Sequence, residues 1–218
     1  MKTFKLFFFV LTLSISANVF ALESKQFDNQ VHPYSDIYSE FHEFCLRKFG
    51  SYPELDPWEK SVLADPELRD FGIQAEELRG IAEYTGGLYK VLNQALREDG
   101  DAAKEWLPWV NVMNAGMDKL PDYREVVLRG ATLNSDQLNQ HEVGSVVIYK
   151  GYTSASVDLP FPGNGQLRIK SLHGKRIEKL SSRSYEHEVL FKPSTHFKVV
   201  DRRQVDNTIY LDLEEIAK

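Results

Sequence analysis

Two glutamates, Glu186 and Glu188, close a serine-rich stretch that runs Ser181-Ser182-Arg183-Ser184-Tyr185-Glu186-His187-Glu188-Val189-Leu190-Phe191. It reads as a polar loop entering a β-strand. Alternate strand residues point to one face, so both carboxylates can look into one pocket with His187 turned the other way. Two carboxylates roughly 7 Å apart, the span of two strand residues, need a cationic partner, a proton or nearby solvent in a dry site. A positively charged substrate, or a transition state that develops positive charge, meets that need. The bland alternative is a solvated strand entry carrying two surface acids.

Two further groups stand upstream. Arg129 interrupts an apolar strand between Leu128 and Gly130. A buried guanidinium is expensive unless it meets an anion; otherwise it points to water from an edge strand. Tyr152-Thr153-Ser154-Ala155-Ser156 is small and extended, and Ser154 and Ser156 face the same way. Their hydroxyls can hold a carboxylate, or they simply end a strand. Metal chemistry has little support, because His42-Glu43 and His141-Glu142 lack a His-x-x-x-His partner at helical spacing.

The elements that must position these residues fall into two halves. Lys2 and Lys5 precede an apolar run over 6–15, and Val19-Phe20-Ala21 ends it with small residues at the cleavage positions. We expect a signal peptide over 1–21, cleaved near Ala21, and a secreted protein without a stable membrane anchor. Residues 22–218 then form a single domain, helical over 22–120 and strand-rich over 121–218. The 218-residue chain carries a net charge of −6, which becomes −8 once Lys2 and Lys5 are removed, and this disfavours a nucleic-acid partner. Cys45 is the only cysteine and sits at helical spacing with Phe41 and Phe49, as a core residue would. Helices are expected over 36–49, 58–64, 76–84, 88–96, 101–107 and 108–120, with Gly86-Gly87 as a break. About seven short strands follow, including 126–131, 146–149, 166–171, 176–180, 188–191, 197–200 and 208–213, with 163–165 and 173–175 as turns.

In this order, Leu128-Arg129-Gly130, Ser154-Ala155-Ser156 and Glu186-His187-Glu188 resemble the arginine-specific mono-ADP-ribosyltransferase toxin family, from about Ile81 to the C-terminus. Tyr84-Thr85 and Asn93-Gln94-Ala95-Leu96-Arg97 match a helical signature that often precedes these strands, and Ala155 stands where the family usually has threonine. The resemblance implies an α+β fold, a helical lobe followed by a mixed β-sandwich core. It implies NAD as substrate, an arginine on a target protein as acceptor, no metal, and a monomer. Arg129 would hold the NAD phosphates, and Gly130 would let the backbone approach the nicotinamide amide. Tyr84 and Asn93 would line the NAD site. Phe161 would stack on the nicotinamide ring or serve as hydrophobic filler. Glu188 would hydrogen-bond the nicotinamide ribose and offset developing positive charge, with Ser154 orienting it. Glu186 would hold and help deprotonate the acceptor guanidinium, and Tyr185 would contact the target. Arg168 is available as a second phosphate contact. The competing readings are a secreted NAD glycohydrolase, a glycoside hydrolase with paired carboxylates, and a non-catalytic secreted binding module.

Overall fold

Acid–proline pairs start two of the first helices. Asp56 caps α2 (Pro57–Leu63), accepting from Glu59 N–H at 2.8 Å while Glu59 accepts from Asp56 N–H at 2.8 Å. Asp65 caps α3 (Pro66–Asp70), its side chain accepting from the Glu67 and Leu68 N–H groups, and Pro66 opens the helix. The computed structural model describes residues 35–217; the expected signal peptide and its cleavage site lie outside the described residues. Around these short helices stand α1 (Ser35–Phe49), α4 (Ala75–Glu83), α5 (Tyr89–Glu98), α6 (Gly100–Glu105) and α7 (Leu107–Lys119). The expected break at Gly86-Gly87 is a π-helical turn, Tyr84–Leu88, joining α4 to α5. The helix expected over 101–107 starts at Gly100, capped by Asp99, which takes a left-handed φ of 66° and accepts from Gly100 N–H.

Phe41 and Phe44 of α1, Leu78 and Ile81 of α4, and Trp109 and Met113 of α7 form the centre of the helical lobe. Cys45 is buried there, and burial pushes its thiol up to about 11, which makes it an inert core residue. Phe49 and Leu46 are exposed.

The second half is a nine-stranded sheet: β1 (Asp122–Tyr123), β2 (Val126–Ala131), β3 (Val146–Tyr149), β4 (Thr153–Ser156), β5 (Gly165–Lys170), β6 (Gly174–Arg176), β7 (Glu188–Phe191), β8 (Thr195–Val205) and β9 (Thr208–Ile216). Their order is β1-β6-β7-β4-β2-β5-β9-β8-β3, antiparallel except for β5 with β9. Of the expected strand over 176–180, Arg176 ends β6 and residues 178–180 form a turn. Ile177 and Leu180 are both buried three residues apart, and Leu180 N–H donates to Ile177 O at 2.8 Å. Residues 173–175, expected as a turn, instead enter β6. A helix over Ser135–Gln140 was not expected; Asn134 and Gln137 form its capping box.

β4 and β2 share only the pair Leu128–Ser156, so the sheet is nearly parted at that seam. Both halves bury one face in a common core, with Ala155, Val189 and Phe191 from one side and Val127, Leu167, Phe197 and Leu211 from the other. Phe191 and Phe197 meet edge to face across it, centroids 5.3 Å apart. The opposite face of the β4–β7 half carries Tyr152 and Leu190 into the helical lobe. β7 is therefore buried on both sides, and its alternate residues serve different cores. Phe191→Ala should cost about 3–5 kcal/mol of stability, whereas Tyr185→Ala on the exposed loop should stay within about 0.5 kcal/mol; urea unfolding of both variants checks this.

Candidate active site

Because β7 alternates between two cores, its first residue shares the face of Leu190 and enters the seam between sheet and helices. That residue is Glu188, 4% exposed. Burial lifts its carboxyl to about 7, and the nearby charge of Glu186 adds to the shift. A hydrogen bond from Ser154 and the positive charges of Arg129 and Arg183 pull the other way. Ser154 thus meets the carboxylate expected of it.

Glu186 reaches the same cleft by a different route from the one expected. It lies in a 3₁₀ turn, Ser184–Glu186, and not on the strand. His187 then takes a left-handed φ of 43°, which breaks the extended run and turns the chain into β7. The shared direction of the two carboxylates comes from this kink, not from strand alternation. Ser156 holds the loop and no carboxylate: its hydroxyl donates to Glu186 O at 2.9 Å and accepts from Asp158 N–H at 3.2 Å. His187 points away from the cleft wall and bonds Asp158.

Arg129 is set in β2 between β4 and β5, so the edge-strand reading does not hold. Its Nη1 donates to Ser154 O, while its buried Nε has no hydrogen-bond partner. Among the described residues no carboxylate pairs with it. Burial lowers its pKa from the ordinary arginine value. An orphaned buried N–H costs roughly 1–3 kcal/mol, and a phosphate oxygen is the partner that a guanidinium fork fits best.

Gly130 has a reason that the sequence did not disclose. A Cβ there would stand 1.4 Å from Phe161 O, so the glycine admits the crossing backbone of the 157–164 loop. Phe161 is half-buried and forms part of the cleft wall with Gly130. Asn93 also reaches the wall, but its amide is committed to protein. Nδ2 donates to the Tyr84 hydroxyl at 3.0 Å and to Tyr152 O at 3.2 Å, and Oδ1 accepts from Tyr152 N–H at 2.8 Å. It ties α5 to the entry of β4 and so sets the place of Ser154. Tyr84 is buried behind it, its phenol held well above its ordinary value by burial.

The cleft is lined by Tyr84, Asn93, Arg129, Gly130, Ser154, Phe161, Glu186 and Glu188, and also by Thr85, Tyr89, Tyr152 and Arg183. Thr85 pins the loop, its hydroxyl lying 3.1 Å from that of Ser182 and accepting from Ser182 N–H. Arg183 had no expected role, although a cation three residues before Glu186 was a readable signal. Tyr185 lies outside the wall and is 75% exposed. Arg168 is turned away from the cleft, pairing with Asp212 at 3.4 Å. Among the described residues no group of His, Cys, Asp and Glu gathers as a metal would need.

A helical lobe on a split mixed sheet, with a buried arginine and carboxylate facing one cleft, defines an ADP-ribosyltransferase-type domain. Residues 68–218 match the family NAD:arginine ADP-ribosyltransferase, and the chain belongs to it. Over 164 residues it is 34% identical to NAD(+)--protein-arginine ADP-ribosyltransferase Tre1 of Serratia proteamaculans, covering 73% of this chain and 37% of that protein. It is 26% identical over 165 residues to the putative NAD(+)--arginine ADP-ribosyltransferase Vis of Vibrio splendidus, 66% of each chain. The chain thus spans 37% and 66% of the length of these two curated relatives. Among solved structures, HopU1 of Pseudomonas syringae pv. Tomato superposes with a TM-score of 0.66 at 17% identity, over 84% of this chain and 97% of that one. Vis bound to agmatine gives 0.57 at 23% identity, over 76% and 88%. These share the fold.

The raised carboxyl of Glu188 has a consequence for stability. Between its unfolded value of 4.5 and its folded value of about 7, the folded chain retains a proton that the unfolded chain has lost. Stability therefore falls as pH rises through that window, and the full cost is present above it. Glu188→Gln should be about 3 kcal/mol more stable than the parent at pH 8 and equal to it at pH 4, as read by urea unfolding at both values.

Proposed function

We propose that this chain transfers ADP-ribose from NAD to an arginine guanidinium on another protein and releases nicotinamide. The observation that carries the reading is that Arg129 and Glu188 open into one cleft without neutralising each other, with Glu186 beside them. Arg129 grips the diphosphate, supplying the orphaned Nε and its remaining fork. The bond between C1′ of the ribose and the nicotinamide nitrogen breaks, and its electron pair leaves with the base. Nicotinamide departs neutral, and positive charge builds on the ribosyl carbon. Glu188, oriented by Ser154, hydrogen-bonds that ribose and offsets the charge from a dry position. Phe161 covers the nicotinamide side. Glu186 holds the incoming guanidinium and takes the proton that its nitrogen sheds as the new C1′–N bond forms. Tyr185, exposed on the same loop, meets the target protein. The named activities of the Tre1 and Vis relatives support this reading.

A second reading, NAD hydrolysis, uses the same first step with water as acceptor, and becomes the main outcome where no guanidinium is present. Incubation with labelled NAD and agmatine separates the two. Transfer should be lost in Glu186→Ala while NAD cleavage persists, and Glu188→Ala should lower both by about 10²–10³. Absence of NAD turnover in the folded parent protein removes the enzyme reading altogether.

The pH profile tests the role of Glu188 independently. Glu188 must be ionised to act, and the groups facing it are Arg129, Arg183, Glu186 and Tyr84. Activity with NAD (kcat/KM) should therefore rise with pH through about 7. The residual activity of Glu188→Gln should show no such rise.

We also propose that the protein is exported, on the strength of Lys2, Lys5, the apolar run and the Val19-Phe20-Ala21 site. N-terminal sequencing of protein recovered from the culture medium should begin at or within two residues of Leu22.

A further inference from the structure

We propose that Arg183 is a resident guanidinium in the acceptor subsite, one that an incoming arginine must displace from Glu186. This rests on the acceptor role given to Glu186 above.

The Arg183 Nη1 lies 3.4 Å from Glu186 Oε1, and both residues line the cleft that holds Glu188. The carboxylate assigned to a substrate guanidinium thus already carries one, supplied from three residues away on the same loop. Arg183 is not needed to hold that loop in place. The Arg183 N–H donates to Ser181 Oγ, Ser182 N–H donates to Thr85 Oγ1, and the Ser156 hydroxyl binds Glu186 O. All three ties would survive loss of the guanidinium.

The arrangement also answers a charge problem. Glu186 and Glu188 face one cleft, and the charge of Glu186 makes Glu188 harder to ionise. Arg183 partly offsets both, and its side chain is 42% exposed, so it can swing to water when a second guanidinium arrives. The swap exchanges one cation for another and leaves the charge near Glu188 unchanged. An exposed or half-exposed pair of this kind is weak, so the barrier is a modest discrimination and not a block. A free guanidinium must out-compete Arg183, which favours acceptors that gain additional contacts outside the cleft.

The probe is agmatine, measured in two ways on the full chain. Calorimetry on NAD-free protein should show Arg183→Gln binding agmatine about two- to fivefold more tightly than the parent. The KM for agmatine in the transfer assay should fall by a similar factor. Arg183→Lys keeps a cation that can pair with Glu186 and should stay near the parent value, which separates competition from a loss of folding or packing. An agmatine affinity in Arg183→Gln equal to or weaker than the parent overturns the proposal. Failure of the activity reading looks different: no transfer occurs in any variant, while the calorimetric comparison still reports on the latch. Absence of agmatine binding to parent and variant alike, with an unchanged KM for agmatine in Arg183→Gln, overturns the proposal and leaves the activity reading to the transfer assay.

Discussion

A buried carboxylate and a buried guanidinium share one cleft in this protein and are kept from closing on each other. Glu188 keeps a strongly raised pKa, and Arg129 spends one nitrogen on a backbone carbonyl and leaves another unpartnered. A direct ion pair would relieve both groups, as it does for Arg79 and Glu59, which meet at 2.9 Å in the helical lobe. The strands prevent it at the cleft. β4 lies between β2 and β7, so the Ser154 carbonyl takes Arg129 while the Ser154 side chain takes Glu188. One residue separates the two charges and fixes each of them.

The remainder of the fold serves that separation. Glu188 is dry because β7 is covered on both faces, by the sandwich core beneath and the helices above. The helices reach it because Asn93 grips the backbone of Tyr152 at the start of β4. Gly151 allows this approach, since a Cβ there would stand 2.8 Å from the Asn93 side-chain oxygen. The π-helical turn that follows Glu83 places Thr85 against Ser182, and so couples the helical lobe to the loop that carries Glu186. Packing energy from two cores is thereby spent on holding an unfavourable electrostatic arrangement.

Much of this was legible in the chain. The order of Arg129, Ser154, Glu186 and Glu188 along the sequence pointed to side chains that the fold does bring to one cleft, and helical spacing followed by strand alternation identified the two halves. What the sequence concealed were effects of tertiary contact. Alternation gave the right destination for Glu186 for the wrong reason, since a left-handed histidine is invisible to periodicity. Asn93 does line the cleft, but its letter does not show that the same amide also ties α5 to Tyr84 and Tyr152. Gly130 and Gly163 are explained only by the crossing of 157–164 over β2, where a Cβ at Gly163 would stand 2.3 Å from Ala131 O. The long β8–β9 hairpin extends beyond its apolar core through backbone pairing of exposed residues, which leaves no hydrophobic pattern to read.

The placement of charge along the cleft gives it a direction. Arg129 supplies the positive end, and Arg97 of α5, outside the cleft wall, lies near enough to perturb both it and Tyr84. At the other stand Glu188 and Glu186, with Arg183 as a movable counterion. Arg168, which the sequence offered to the positive end, belongs to the far side of β5 and to Asp212. A ligand that is anionic at one end and cationic at the other lies along this gradient in a single sense, and reversing it would set phosphate against carboxylate at short range. In a site of low polarity such a reversal is far more costly than in water. In the reaction proposed above, orientation therefore follows from the field before any shape complementarity is considered, and the reacting carbon comes to the carboxylate end.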